Sequence, residues 1–126
     1  MIGGYHAAKL QRIQDVIDKH LSKGNMEVFN MLNTKYFIVQ GEGDAPKVNL
    51  NPAVAGNAWF VNSYDIVADA DAEIAALNSF DPASKMIVDL RYKEQLSGFN
   101  YQPDSAASIV LNKYEPDHLT YTSQSS

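Results

Sequence analysis

Two short runs of large apolar residues, Tyr36-Phe37-Ile38-Val39 and Ala58-Trp59-Phe60-Val61, constrain this chain more than any other feature. Each mixes aromatic and β-branched residues and lies beside turn formers. Gly41, Gly43, Asp44 and Pro46 follow the first run, and Asn51-Pro52 and Gly56-Asn57 precede the second. Short runs of this kind read as strands buried on both faces. They are expected to share one sheet, with Trp59 buried beside Phe37 and the rest of the chain packed around them.

Upstream, Tyr5 to Leu21 reads as a helix, because Leu10, Ile13, Ile17 and Leu21 recur at spacings of three and four. Lys23-Gly24 supplies its basic last turn and its terminating glycine. Asn25 is placed to cap a second helix with Glu27 in its first turn, and Met26, Phe29 and either Leu32 or Met31 are expected to face inward. Downstream, Lys47 to Leu50 reads as a strand pairing back on the first run, and Ala58 to Val67 as strand-like, broken near Asn62-Ser63. Asp69, Asp71 and Glu73 open a short helix, Met86-Ile87-Val88 is a short strand, and Tyr92 to Leu96 is one helical turn. Gly98 to Asp104 is a loop. Ser108 to Leu111 and Leu119 to Thr122 are strands on either side of the Glu115-Pro116-Asp117 turn. Helices first, then strands joined by turns too short for crossover helices, predict an α+β fold. It has an N-terminal αα-hairpin packed on a small, mainly antiparallel β-sheet. The 126 residues suit a single soluble domain, helical over roughly 5–33 and sheet-forming over roughly 35–123.

Charge and composition exclude several classes. The net charge of −5 argues against a nucleic-acid partner and against a polybasic membrane patch. With no cysteine, disulfides and thiolate metal sites are ruled out. No run of 18 apolar residues exists, and Met1-Ile2-Gly3-Gly4 is not a signal peptide.

No motif carries chemistry. His6, His20 and His118 lack metal-ligand spacing, so no metal site and no cofactor are expected. Asp69-Ala70-Asp71 matches the D-x-D of some glycosyltransferases, but it also begins a helix, where acidic residues cap. It is not a calcium loop, since Ile74 and Phe80 stand where glycine and glutamate are required. Gly41-Glu42-Gly43-Asp44 is a tight turn without a dinucleotide fingerprint. Trp59, Phe60 and Tyr64 are a candidate stacking platform for sugar, although a strand core accounts better for Trp59 and Phe60. The candidate sugar contacts are therefore Trp59, Tyr64, Asp69 and Asp71, and no catalytic residue is assigned.

Four stretches in order, Met31–Val39 (MLNTKYFIV), Asn51–Val67 (NPAVAGNAWFVNSYDIV), Ala75–Asp89 (AALNSFDPASKMIVD) and Ser108–Tyr121 (SIVLNKYEPDHLTY), carry a family likeness, together with Gly4–Leu10. The chain resembles the C-terminal extracytoplasmic region of YfhO-like bacterial membrane proteins. It departs from them at Gly56-Asn57, where many relatives carry Pro-Arg. The resemblance implies a polytopic parent with a glycosyltransferase-like membrane portion, associated with glycosylation of cell-envelope polymers. The acidic catalytic residues of such a parent are expected outside this chain. This part is then a non-catalytic domain on the extracytoplasmic (periplasmic) face of the inner membrane, partnered by the membrane portion of its own parent and by envelope glycan or lipid-linked sugar. Relatives continue past the equivalent of Ser126 with further strands, so the chain is expected to be a fragment whose C-terminal edge strands self-associate. The alternative is a free-standing sugar-binding module or small glycan-active enzyme.

Overall fold

The computed structural model describes residues 10–98 and 104–125. Helix α1 (Gln11–Lys19) is followed by a 3₁₀ turn (Leu21–Lys23) and helix α2 (Met26–Met31). Strands β1 (Tyr36–Gln40) and β2 (Pro46–Leu50) form an antiparallel hairpin. Strand β3 (Ser63–Val67), helix α3 (Ala70–Ala76) and strand β4 (Lys85–Asp89) form a βαβ unit, with β4 running parallel to β3. A 3₁₀ segment (Leu90–Leu96) leads on to a second antiparallel hairpin, β5 (Ser108–Glu115) and β6 (His118–Gln124). The chain is α+β, with its helical part ahead of its mainly antiparallel strands. The strands are divided among three two-stranded sheets rather than joined in one.

Helix ends follow the local chemistry. Asn25 caps α2, its Oδ1 accepting from the backbone N–H groups of Glu27 and Val28. Gly24, at φ 72°, closes the preceding turn, with Asn25 N–H bonded to His20 O and Gly24 N–H to Leu21 O. That pair of bonds is a Schellman motif, which needs a left-handed residue at the position glycine fills. The same motif ends α2. Here Asn33, at φ 55°, takes the left-handed position, Thr34 N–H bonds Phe29 O and Asn33 N–H bonds Asn30 O. Asparagine tolerates that conformation better than most residues, and it turns the chain straight into β1.

Several expectations are corrected. Tyr36–Val39 is a strand, but it is not buried on both faces: Tyr36 and Ile38 are 61% and 74% exposed. A two-stranded sheet has no layer to cover its second face. Ala58–Val61 is not a strand; β3 begins at Ser63 and pairs with β4 rather than β1. Phe37 meets Phe29 edge-on, with centroids 5.2 Å apart, and Trp59 instead bonds Pro82. Helix α3 is a crossover helix, which explains why β3 and β4 are parallel. Helix α1 runs from Gln11, and the first residues of the expected helix, 5–9, lie outside the described residues, as do residues 99–103 of the expected Gly98–Asp104 loop. The face that α1 turns inward also differs. Arg12, Val16 and His20 point to α3 or the cleft beside it, while of the expected stripe Leu10 and Ile13 are exposed and Ile17 and Leu21 half-buried. The bonds of Arg12 and His20 to α3 set the rotation of the helix against its apolar stripe. In α2, Met26 is exposed and the buried residues are Val28 and Asn30.

Among the described residues, few large apolar side chains are buried, notably Val28, fully, and Val88, 9% exposed. Much of the cohesion is polar. Asn51, 4% exposed, donates through Nδ2 to Asn30 Oδ1 and to Thr34 O, both at 2.9 Å. Its own Oδ1 accepts from Ala53 N–H, and its backbone N–H bonds Lys35 O. One amide thus ties the end of α2, the entry to β1 and the loop after β2. Replacing Asn51 with Ala strands a buried acceptor on Asn30 and a half-buried one on Thr34 and is expected to cost about 2–4 kcal/mol. Asn57→Ala, which removes only the exposed bond to Asn33, is expected to cost under about 1 kcal/mol. Urea denaturation of both variants checks this, and equal losses would remove Asn51 from its central place.

Candidate functional site

A cleft of about 690 Å³ opens between α1, α3, β4 and the segment 58–61. Arg12, Asp15 and Val16 of α1 form one wall and Asp71, Glu73 and Ile74 of α3 another. Trp59 and Val61 approach from the loop ahead of β3, and Met86 and Ile87 from β4; Leu77 and Phe80 complete the apolar lining.

Polar side chains hold the walls in place. His20, 1% exposed, contacts Ile74 O through Nε2 at 2.8 Å. A carbonyl only accepts, so Nε2 carries the proton and Nδ1 accepts from Asn25 Nδ2 at 3.2 Å. Asn25 also donates to Leu77 O at 2.9 Å. The residue that caps α2 therefore also grips the C-terminal end of α3. Trp59 Nε1 donates to Pro82 O at 2.7 Å, and the buried Pro82 is set by the Asp81 turn, in which Oδ1 accepts from Ala83 N–H.

Charges ring the cleft. Arg12 pairs with Glu73, and Lys85 Nζ reaches Asp65 Oδ2 at 2.8 Å. Asp15 accepts from the neutral amide of Gln11 at 2.8 Å. Among the described residues no cation pairs with Asp15 or Asp71. A smaller hollow adjoins along Glu73, Met86 and Ile87 and is closed by Asp89, Tyr92 and Leu96.

The sequence candidates separate. Trp59 and Asp71 meet in the cleft; Tyr64 and Asp69 are not among its lining residues. Asp69 is the N-cap of α3, its Oδ1 accepting from Ala72 N–H at 2.9 Å. Tyr64 lies in β3 opposite Met86 of β4. The residues the sequence reading missed are Arg12, Asp15 and the apolar wall of α3. The Arg12/Val16/His20 spacing was legible as one helix face, but the apolar stripe beside it is the stronger signal. Among the described residues no group of three or more His, Cys, Asp or Glu side chains could hold a metal ion. No helix among them is long and apolar enough to cross a membrane.

Comparison with protein-family models, with curated proteins and with solved structures finds no match to this chain.

Asp89, beside the smaller hollow, has a displaced proton affinity. It is nearly buried and accepts from Arg91 Nη2 at 2.6 Å and from Arg91 N–H at 3.0 Å. The side-chain bond, then the backbone bond, hold its carboxyl below the ordinary carboxylate range. A lowered pKa means that the folded state favours the charged form. The stabilisation is full above the unfolded carboxylate range and is lost as pH falls through the folded value. Asp89→Asn is therefore expected to lower the urea midpoint at pH 7 and to flatten its decline between pH 5 and pH 3. Identical declines in the two proteins would show that Asp89 does not carry that dependence.

Proposed function

We propose that this chain is a non-catalytic docking domain. In this reading it is the extracytoplasmic part of a YfhO-like bacterial membrane protein involved in cell-envelope glycosylation, lying on the periplasmic face of the inner membrane against the membrane portion of its own parent. One observation carries the docking role. The cross-strand pairs Tyr36–Leu50 and Ile38–Val48 place four large apolar side chains on one face of the β1–β2 hairpin, all at least 60% exposed. Covering such a side chain is worth about 1.5–3 kcal/mol, and a lone two-stranded hairpin is marginal in water. The exposed Leu10 ahead of α1, the exposed Ile13 within it and the exposed Tyr114 and Leu119 of the second hairpin add to this apolar surface. The resemblance over Met31–Val39, Asn51–Val67, Ala75–Asp89 and Ser108–Tyr121 supplies the partner.

A second reading, a sugar-binding module, is favoured by the meeting of Trp59 and Asp71 in one cleft. The cleft's largely apolar wall suits a polyol less well.

The parent reading frame separates the two. The docking reading expects on the order of ten apolar segments of about 20 residues upstream. A photo-crosslinker replacing Ile38 in the full parent is then expected to capture the membrane portion of the same polypeptide. A frame with no such segments ends this reading and leaves the sugar-binding one. Freed of its cover, the isolated chain is expected to self-associate through its hairpins. Small-angle scattering should give a radius of gyration above the roughly 14 Å of a monomer of this length, falling on dilution. A constant monomer value would mean that the exposed faces need no cover.

A further inference from the structure

The cleft between α1 and α3 has a chemistry of its own, independent of where the hairpins dock. Its body is apolar, built by Trp59, Ile74, Leu77, Phe80, Met86 and Ile87. Its one aromatic N–H, the Trp59 indole, is already spent on Pro82 O. A ligand body rich in hydroxyls would thus give up its bonds to water and find few replacements inside. Water in such a space is short of partners, and an apolar group that displaces it gains affinity. The volume, about 690 Å³, falls within the range of small-molecule sites.

The rim sets the charge. Among the described residues both of its cations are committed, Arg12 to Glu73 and Lys85 to Asp65. Among the same residues Asp15 has a neutral amide as its partner, and neither Asp15 nor Asp71 pairs with a cation. An anionic ligand would meet two uncompensated carboxylates, whereas a cation would complete two pairs. We propose that this cleft binds a small amphiphilic cation, an aliphatic or aromatic body carrying one ammonium or guanidinium group, with the body against Trp59 and Ile74 and the charge between Asp15 and Asp71.

Trp59 is the only tryptophan in the chain, so its emission reports directly on the cleft. The test titrates the whole chain with octyltrimethylammonium and with octanesulfonate, both below micelle-forming concentrations. These share a chain length and differ in charge. Saturable one-to-one binding of the cation is expected, with the anion roughly tenfold weaker. A double variant, Asp15→Asn with Asp71→Asn, alters only partly or fully exposed carboxylates. It is expected to keep its far-ultraviolet dichroism and to bind the cation about three- to tenfold more weakly. A control pair with the same change in net charge, Glu42→Gln with Asp117→Asn, lies outside the cleft and is expected to bind as the parent does. The proposal is overturned by any one of three results: no saturable change in Trp59 emission, equal affinity for the two amphiphiles, or an equal loss of affinity in the two double variants.

Discussion

The amide of Asn51 is the interaction on which the rest of this structure depends. With few buried apolar side chains among the described residues, area alone does not hold these elements together. Asn51 reaches three separate segments at once, and Asn30 O accepts in turn from Ala55 N–H at 3.1 Å. Asn25 does the same work on the other side of α2, joining His20 to the end of α3. These amides are short and carry both donors and acceptors, Asn51 is buried and Asn25 half-buried, so an unmade bond there costs more than a made bond gains. The arrangement is therefore specific in geometry while resting on little hydrophobic area.

Local chemistry was legible in the sequence, and long-range pairing was not. Asn25, Gly24 and Asp69 stand where their capping and terminating roles require, because those roles depend only on residues two to five positions away. The β1–β2 and β5–β6 hairpins are likewise written in adjacent strands and turns. The partner of β3 is not. Reading Ala58–Val61 as the strand put its start five residues too early, since Trp59 and Phe60 have high strand propensity, while Ser63 and Asp65, which do pair with β4, have low propensity. Tertiary pairing overrode propensity there. The same limit hid the contacts of α1 with α3, where the buried ring of His20 bonds Ile74 O and Arg12 pairs with Glu73, partners 54 and 61 positions away.

The candidate site was half legible for a similar reason. Trp59 and Asp71 stand out by residue type, and twelve positions separate them in sequence. That the two meet depends on the crossover of α3 between β3 and β4. Asp69 looked equal to Asp71, yet two positions along the first turn give them different work: Asp69 caps the backbone and Asp71 lines the cleft. The polar grip of Asn25 and His20 on α3 keeps that wall in place, so the helix ends at the base of the fold and the mouth of the cleft are mechanically one unit.

The pairing of β5 with β6 shifts register between Leu111 and Lys113, leaving Asn112 as an extra residue bonded through its side chain to Thr122. This changes the phase of the strand's two-residue alternation. Leu111, opposite Tyr121, and Tyr114, opposite Leu119, fall on the same face although an odd number of positions separates them. Lys113 and Glu115 fall together on the other face, where they form an ion pair. A strand lacking Asn112 would run as an unbroken ladder and would put either Leu111 or Tyr114 among the charges. The single extra residue works as a frame correction that lets a sequence with no continuous apolar–polar alternation still present one greasy side and one wet side.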